Sequence, residues 1–186
     1  MTEITSSSES FPLPIARFIL HWGDLGGQWG VNRSVAQIHA LLYVSERPLT
    51  AEDIAEELRL ARSNVSNSLK ELLGWKLAHR VPVMGDRRDH FSAVTDVWEI
   101  VTRIAAGRKA REIDPAEAAL KASVADAAHD PSVSPVARER LEAMLEFVST
   151  MSRWHDQMIG IPKPVLMKLI RMGTSVTKFV SWAGGK

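Results

Sequence analysis

Arg62, Ser63, Asn64, Ser66, Asn67 and Lys70 share one nine-residue stretch, and Arg87 and Arg88 follow beside Gly85 and Asp86. These side chains suit nucleic acid. Asn can hold adenine through two hydrogen bonds, Ser serves bases or phosphates, and Arg and Lys neutralise phosphate charge. A pair of arginines on a turn can reach a narrow minor groove, where the negative potential is strongest. The ordinary alternatives are a solvated polar helix face and surface ion pairs of Arg87 and Arg88 with Asp86 and Asp89, which are worth little. From Arg59 to Arg88 there are seven cations against two anions, in a chain whose net charge is only +1. Such a local excess is a footprint for phosphates or an ordinary basic surface.

The elements that would position these residues can be read from periodicity. Val65, Leu69, Leu72 and Leu73 follow the i, i+4, i+7, i+8 spacing of one buried stripe, predicting a helix from about Arg62 to Leu73. Ser63, Asn67 and Lys70, flanked by Ser66, then lie on the opposite face, and Gly74 ends the helix. Before it, Thr50 is a good N-cap with Glu52 and Asp53 in the first turn, and Ile54, Ala55 and Leu58 face inward. After it, Leu77–Val83 and His90–Val94 read as strands joined through Met84-Gly85-Asp86-Arg87. A bracing helix, a groove helix and a hairpin, in that order, make a winged helix-turn-helix, with 62–73 as recognition helix and 84–90 as wing.

Upstream, a helix starting near Pro12 or Pro14 is expected to be broken by Gly23, Gly26, Gly27 and Gly30, and a second spans Arg33–Val44. Downstream, helices are expected over about Asp96–Arg111 and Pro115–Ala128, then from Ser134-Pro135 onward, with a last one over about Pro164–Val180. The third carries Leu141, Met144, Val148, Met151, His155 and Met158 at alternating 3 and 4 spacing, a coiled-coil-like seam. The fold class is mainly α with a small β-hairpin wing. Residues 1–10 are expected to be disordered, 11–95 to form the winged helix with its N-terminal helix, and 96–186 to form a helical dimerisation or effector region.

Together these stretches resemble the MarR-like winged-helix regulators, in the branch named for the glycine-betaine synthesis repressor, GbsR. The resemblance lies in Trp29-Gly30, VAQIHALLYVSERPLTAEDIAEEL, SNVSNSLKEL and GDRRDHF, and covers about Gly23 to Pro115. It implies a transcription factor, a homodimer on a pseudo-palindromic operator, tuned by a small molecule. It also implies Arg62, Ser63, Asn64, Ser66 and Asn67 as groove contacts and Arg87 and Arg88 as wing contacts. One departure is Ala61, where such helices usually begin with a capping Ser or Thr. Lacking that cap costs roughly 0.5–2 kcal/mol and allows a start as late as Ser63.

The tail and the tryptophans carry the remaining expectations. One winged helix reads few bases, so the 141–158 seam is expected to pair two copies, against the alternative of packing within the chain. Residues 157–186 hold five cations and no acid, which suits a solvated face better than a membrane-surface helix. Trp22, Trp29, Tyr43 and Trp98 could form an aromatic cage for a quaternary ammonium such as choline, or could be packing anchors. A metal sensor built on His129, His155 and Asp156 is a rival, but their spacing matches no common ligand motif. A winged helix that binds a protein partner is another; it would need neither arginine on the wing.

With no cysteine, disulfides, thiol catalysis and Cys-ligated metals are excluded. No nucleophile elbow, phosphate loop or dinucleotide fingerprint is present, so an enzyme is not expected, nor a cofactor. The N-terminus is polar and acidic where a signal peptide is basic and then apolar, and no run of eighteen apolar residues occurs. A cytoplasmic protein without membrane contact is expected.

Overall fold

The computed structural model describes residues 11–173. The expected disorder at residues 1–10, and the outer part of the last expected helix, lie outside them. The chain forms two compact units, one through Arg103 and one from Ile104 onward. The sequence reading divides it at 95/96.

In the first unit, α1 spans Leu13–Gln28, α2 Arg33–Val44, α3 Ala51–Leu58 and α4 Arg62–Gly74. Three short strands, β1 (Leu49–Thr50), β2 (Ala78–Val81) and β3 (His90–Ala93), form an antiparallel sheet in the order β1-β3-β2. β2 and β3 are the expected hairpin. β1 adds a third strand, with Thr50 opposite His90 and Leu49 opposite Phe91. Thr50 also caps α3, since its hydroxyl accepts from the Asp53 N–H at 3.1 Å while the Asp53 carboxylate accepts from the Thr50 N–H at 2.9 Å. This reciprocal capping satisfies two donors that a helix start otherwise leaves unpaired. Burial raises the Asp53 carboxyl pKa, but the hydrogen bonds from Thr50 and the charge of Arg47 outweigh it and hold it below the usual range.

α1 does not break at its glycines. It runs through Gly23, Gly26 and Gly27 because two of them are contact points rather than hinges. A Cβ on Gly26 would stand 2.5 Å from the Ala36 Cβ, and one on Gly23 would stand 2.5 Å from the Gln37 Cγ. Glycine at these positions lets α1 lie close against α2, and only Gly30, with φ +76°, takes the left-handed turn between them. α2 is the centre of the unit and packs on both α1 and α4. Ile38, Leu41, Leu42, Ile54, Val65, Leu69 and Leu72 form the core between these helices. His39 is buried among them, and its Nε2 has no hydrogen-bond partner among the described residues. Burial lowers its pKa to about 4, so it is neutral near pH 7.

α5 (Val97–Arg108) leads into the second unit, where α6 spans Asp114–His129, α7 Pro135–Gly160 and α8 Lys163–Met172. The break expected between the helices at Arg111 and Pro115 is instead a π turn over Lys109–Ile113 that carries one helix into the next. Pro115 explains it. Its missing N–H and its ring disrupt a regular α turn, and the wider i→i+5 bond from the Asp114 N–H to the Lys109 carbonyl absorbs the defect. Lys109 ties the turn down through Asp114 at 2.7 Å and Asp156 at 3.3 Å.

α6 packs against α7 with Ala127 and Ser152 buried. The Ser149 hydroxyl donates to Glu117 at 2.9 Å, and Lys121 pairs with the same carboxylate at 2.7 Å. The hydrogen bonds from Lys121, Ser149 and Ser152 lower the Glu117 pKa to about 2. The expected seam divides. Leu141, Val148, His155 and Met158 are half-buried, whereas Met144 and Met151 are exposed and continue an outer stripe with Phe147 and Trp154, 63% and 56% exposed. No helix among the described residues is long and apolar enough to cross a membrane.

Candidate nucleic-acid interface

α4 begins at Arg62 although its N-cap, Ala61, supplies no side-chain bond. The Val65/Leu69/Leu72 stripe faces inward as expected, and Ser63, Ser66, Asn67 and Lys70 are exposed. Nothing in the described residues hydrogen-bonds those four side chains. Arg62, at the first turn, leans toward Glu52 of α3 at 3.7 Å and stays mostly in solvent. Asn64 differs from its expected role. Its amide donates to the Ser34 hydroxyl on α2 at 2.9 Å, and its carbonyl accepts from the buried Ser68 at 3.4 Å. Asn64 therefore fastens α4 to α2 and is half-buried. Sequence spacing could not separate it from Ser63, because only the position of Ser34 turns it inward.

The wing turns at Gly85, whose φ of +82° suits glycine. Its two arginines differ. Asp86 accepts from the Arg88 backbone N–H at 3.0 Å and from the guanidinium Nε at 3.0 Å, with a second oxygen 2.6 Å from a terminal nitrogen. The forked bond from Arg88 holds the Asp86 carboxyl well below the usual carboxylate range and raises Arg88 in turn. Arg87 is exposed with no such bond. His90 is not a surface residue. It is buried at the base of the wing, with Nδ1 3.0 Å from the Arg88 carbonyl and Nε2 3.5 Å from Asp86. Its neighbours thus fix the turn rather than leaving it a free loop.

One further arginine, Arg80 on β2, was not among the expected contacts, although it lies within the basic stretch. Its guanidinium sits 6.0 Å from the Phe91 ring and 3.1 Å from Asp89. Alternation along β2 puts it on the same face as the buried Ala78, so strand spacing carries no signal for its exposure, and the basic stretch is the sequence feature that contains it.

An exposed helix of short polar side chains beside a cation-bearing hairpin, braced by two helices, is the geometry of a winged helix, and residues 29–89 match the MarR family. Over those residues, about a third of the chain, it is similar to that family. The wider chain has a matching fold in a transcriptional regulator whose crystal structure superposes with a TM-score of 0.62, at 17% identity over 79% of this chain and 96% of that one. The HTH-type transcriptional repressor OpcR of Bacillus subtilis is 17% identical over 131 residues, 69% of this chain and 71% of OpcR. A DNA complex of MepR from Staphylococcus aureus is 21% identical, over 59% of this chain and 94% of that chain, with a TM-score of 0.36.

The residues proposed for other chemistry fall on both units. Trp22 meets Phe18 with ring centroids 5.7 Å apart, and Trp29 is exposed. Tyr43 and Trp98 are half-buried, and the Trp98 indole N–H is enclosed without an acceptor among the described residues. Neither of two clefts in this unit, one beside Phe11 and Glu57 and one beside Lys70 and Arg80, is lined by any of the four. On the second unit, the His129 ring contacts the Ala125 carbonyl at 2.9 Å, and Asp156 pairs with Lys109. Among the described residues no three metal-ligating side chains converge.

Proposed function

We propose that this winged helix is the DNA-reading part of a homodimeric transcriptional repressor. α4 enters the major groove of a pseudo-palindromic operator and the wing reaches the adjoining minor groove. The observation that carries the reading is the face of Ser63, Ser66, Asn67 and Lys70. It is polar, exposed and, among the described residues, unbonded, next to Arg87, whose side chain is also unbonded there. Short hydroxyl and amide side chains are poor helix formers, so helix stability does not explain their presence. The repressor sense rests on the likeness to OpcR, and the place in the GbsR branch rests on the sequence resemblance.

The dimer rests on α7. Met144, Phe147, Met151 and Trp154 give it an exposed apolar stripe with coiled-coil spacing, a surface that soluble monomers rarely leave uncovered. Sedimentation of the full chain tests this directly: a dimer is expected, and Phe147→Glu with Trp154→Glu is expected to yield monomers that bind DNA more weakly. A choline-class effector enters through the resemblance alone, with Trp22, Trp29, Tyr43 and Trp98 as its candidate rings; tryptophan fluorescence titration with choline reads it.

Selection of duplexes from a random pool tests the DNA reading. Enrichment of an inverted repeat with half-sites about one helical turn apart is expected. A pool that stays random after repeated rounds would set the reading aside in favour of a winged helix that binds a protein partner.

A further inference from the structure

Between α4 and the wing lies a cleft of about 320 Å³. Its floor is Leu69, Leu73 and Phe91, and Lys70 and Arg80 stand on its rim with Ser66. Lys70 has no bond within the described residues. Arg80 rests on the Phe91 ring at 6.0 Å, which orients its plane, and gives its Nε to Asp89 at 3.1 Å. The other acid of the cleft, Glu52, faces Arg62 at 3.7 Å.

We propose that this cleft seats one backbone phosphate of bound DNA, held by Lys70 and Arg80. Asp89 occupies Arg80 in the free protein until that phosphate displaces it. The inference rests on the DNA reading above and adds to it a contact and a competitor. The geometry of B-DNA supplies the reason. The sugar–phosphate strand is the wall between the major and minor grooves, so a protein with a helix in one and a hairpin in the other must straddle that wall. What lies between α4 and the wing faces phosphates, not bases. A forked guanidinium beside a compact ammonium is a phosphate-binding pair. The carboxylate of Asp89 uses the same donors that a phosphate oxygen would use.

Two substitutions and their combination test this by fluorescence anisotropy on a labelled mixed-sequence duplex about three helical turns long, across a salt series. Thermal melts check that each variant is folded. Arg80→Gln is expected to weaken binding and to reduce the slope of log affinity against log salt by roughly 0.9, the value for one lost phosphate contact. Arg80→Lys, which keeps the charge, is expected to retain that slope. Asp89→Asn is expected to tighten binding roughly 2- to 5-fold, the range for releasing one exposed ion pair. That gain should vanish when Arg80→Gln is also present. An equal gain in both backgrounds would show that Asp89 merely repels DNA and would overturn the seat, as would an unchanged slope in Arg80→Gln. Failure of the unaltered protein to bind duplex at low salt would overturn the DNA reading and the seat together.

Discussion

His39 should make the winged helix sensitive to mild acid. The residue is 5% exposed, in the helix that packs on both α1 and α4, and its Nε2 has no partner among the described residues. Burial lowers its pKa from 6.5 to about 4. The folded state therefore favours the neutral ring, and the stability this represents is full above the unfolded value of 6.5. It is lost as pH falls from there toward 4. At ~1.36 kcal/mol per pH unit, acidification from about pH 7 to about pH 5 should cost about 2 kcal/mol. The carboxylate of Glu117, held at about 2, loses its contribution only below its unfolded value near 4.5, so this window separates His39 from it. Urea denaturation of the unaltered chain and His39→Leu at both pH values measures the effect. The unaltered protein should lose about 2 kcal/mol more than the variant over that interval. Parallel losses in the two proteins would refute the assignment, whatever their absolute stabilities.

Gly26→Ala should destabilise the fold by about 1–3 kcal/mol, because the new Cβ meets Ala36 at 2.5 Å, whereas Gly27→Ala, with nothing within 4 Å, should stabilise it by about 0.4–1 kcal/mol. Thermal melts of the two variants give opposite shifts if the close approach of α1 and α2 is read correctly. Asn64→Ala should cost about 0.5–1.5 kcal/mol of stability for the lost bond to Ser34. A double-mutant cycle with Ser34→Ala should show coupling between the two positions; strict additivity would return Asn64 to the list of base-reading candidates.

Much of the winged helix was legible because its signals are local. The Val65/Leu69/Leu72 stripe fixed the inward face of α4, and the turn residues around Gly85 separated two β-forming runs. Thr50 marked a helix start that the structure caps reciprocally. What could not be read depends on neighbours distant in sequence. A glycine that breaks a helix and one that admits a second helix look alike until Ala36 and Gln37 are placed beside Gly26 and Gly23. β1 is two residues long, too short to show a period, and exists only because β3 pairs with it. Pro115 signalled a helix boundary, yet a π turn carries the helix past it. Arg87 and Arg88 are the same residue type on the same turn, and only the position of the Asp86 carboxylate distinguishes the bonded one from the other. The exposed stripe of α7 shares Met144 and Met151 with the expected seam, but packing on α6 selected Phe147 and Trp154 in place of Leu141 and Val148.

The most direct measurement is binding of the full chain to a selected operator, compared with single-base variants of that operator, for the unaltered protein, Asn67→Ala and Arg87→Ala. The DNA reading predicts that Asn67→Ala loses preference at one base position, by about 1–3 kcal/mol, while retaining its salt dependence. It predicts that Arg87→Ala weakens binding to every variant alike and lowers the salt slope by roughly 0.9. Unchanged preference and unchanged slope in both proteins would contradict the placement of α4 and the wing on DNA.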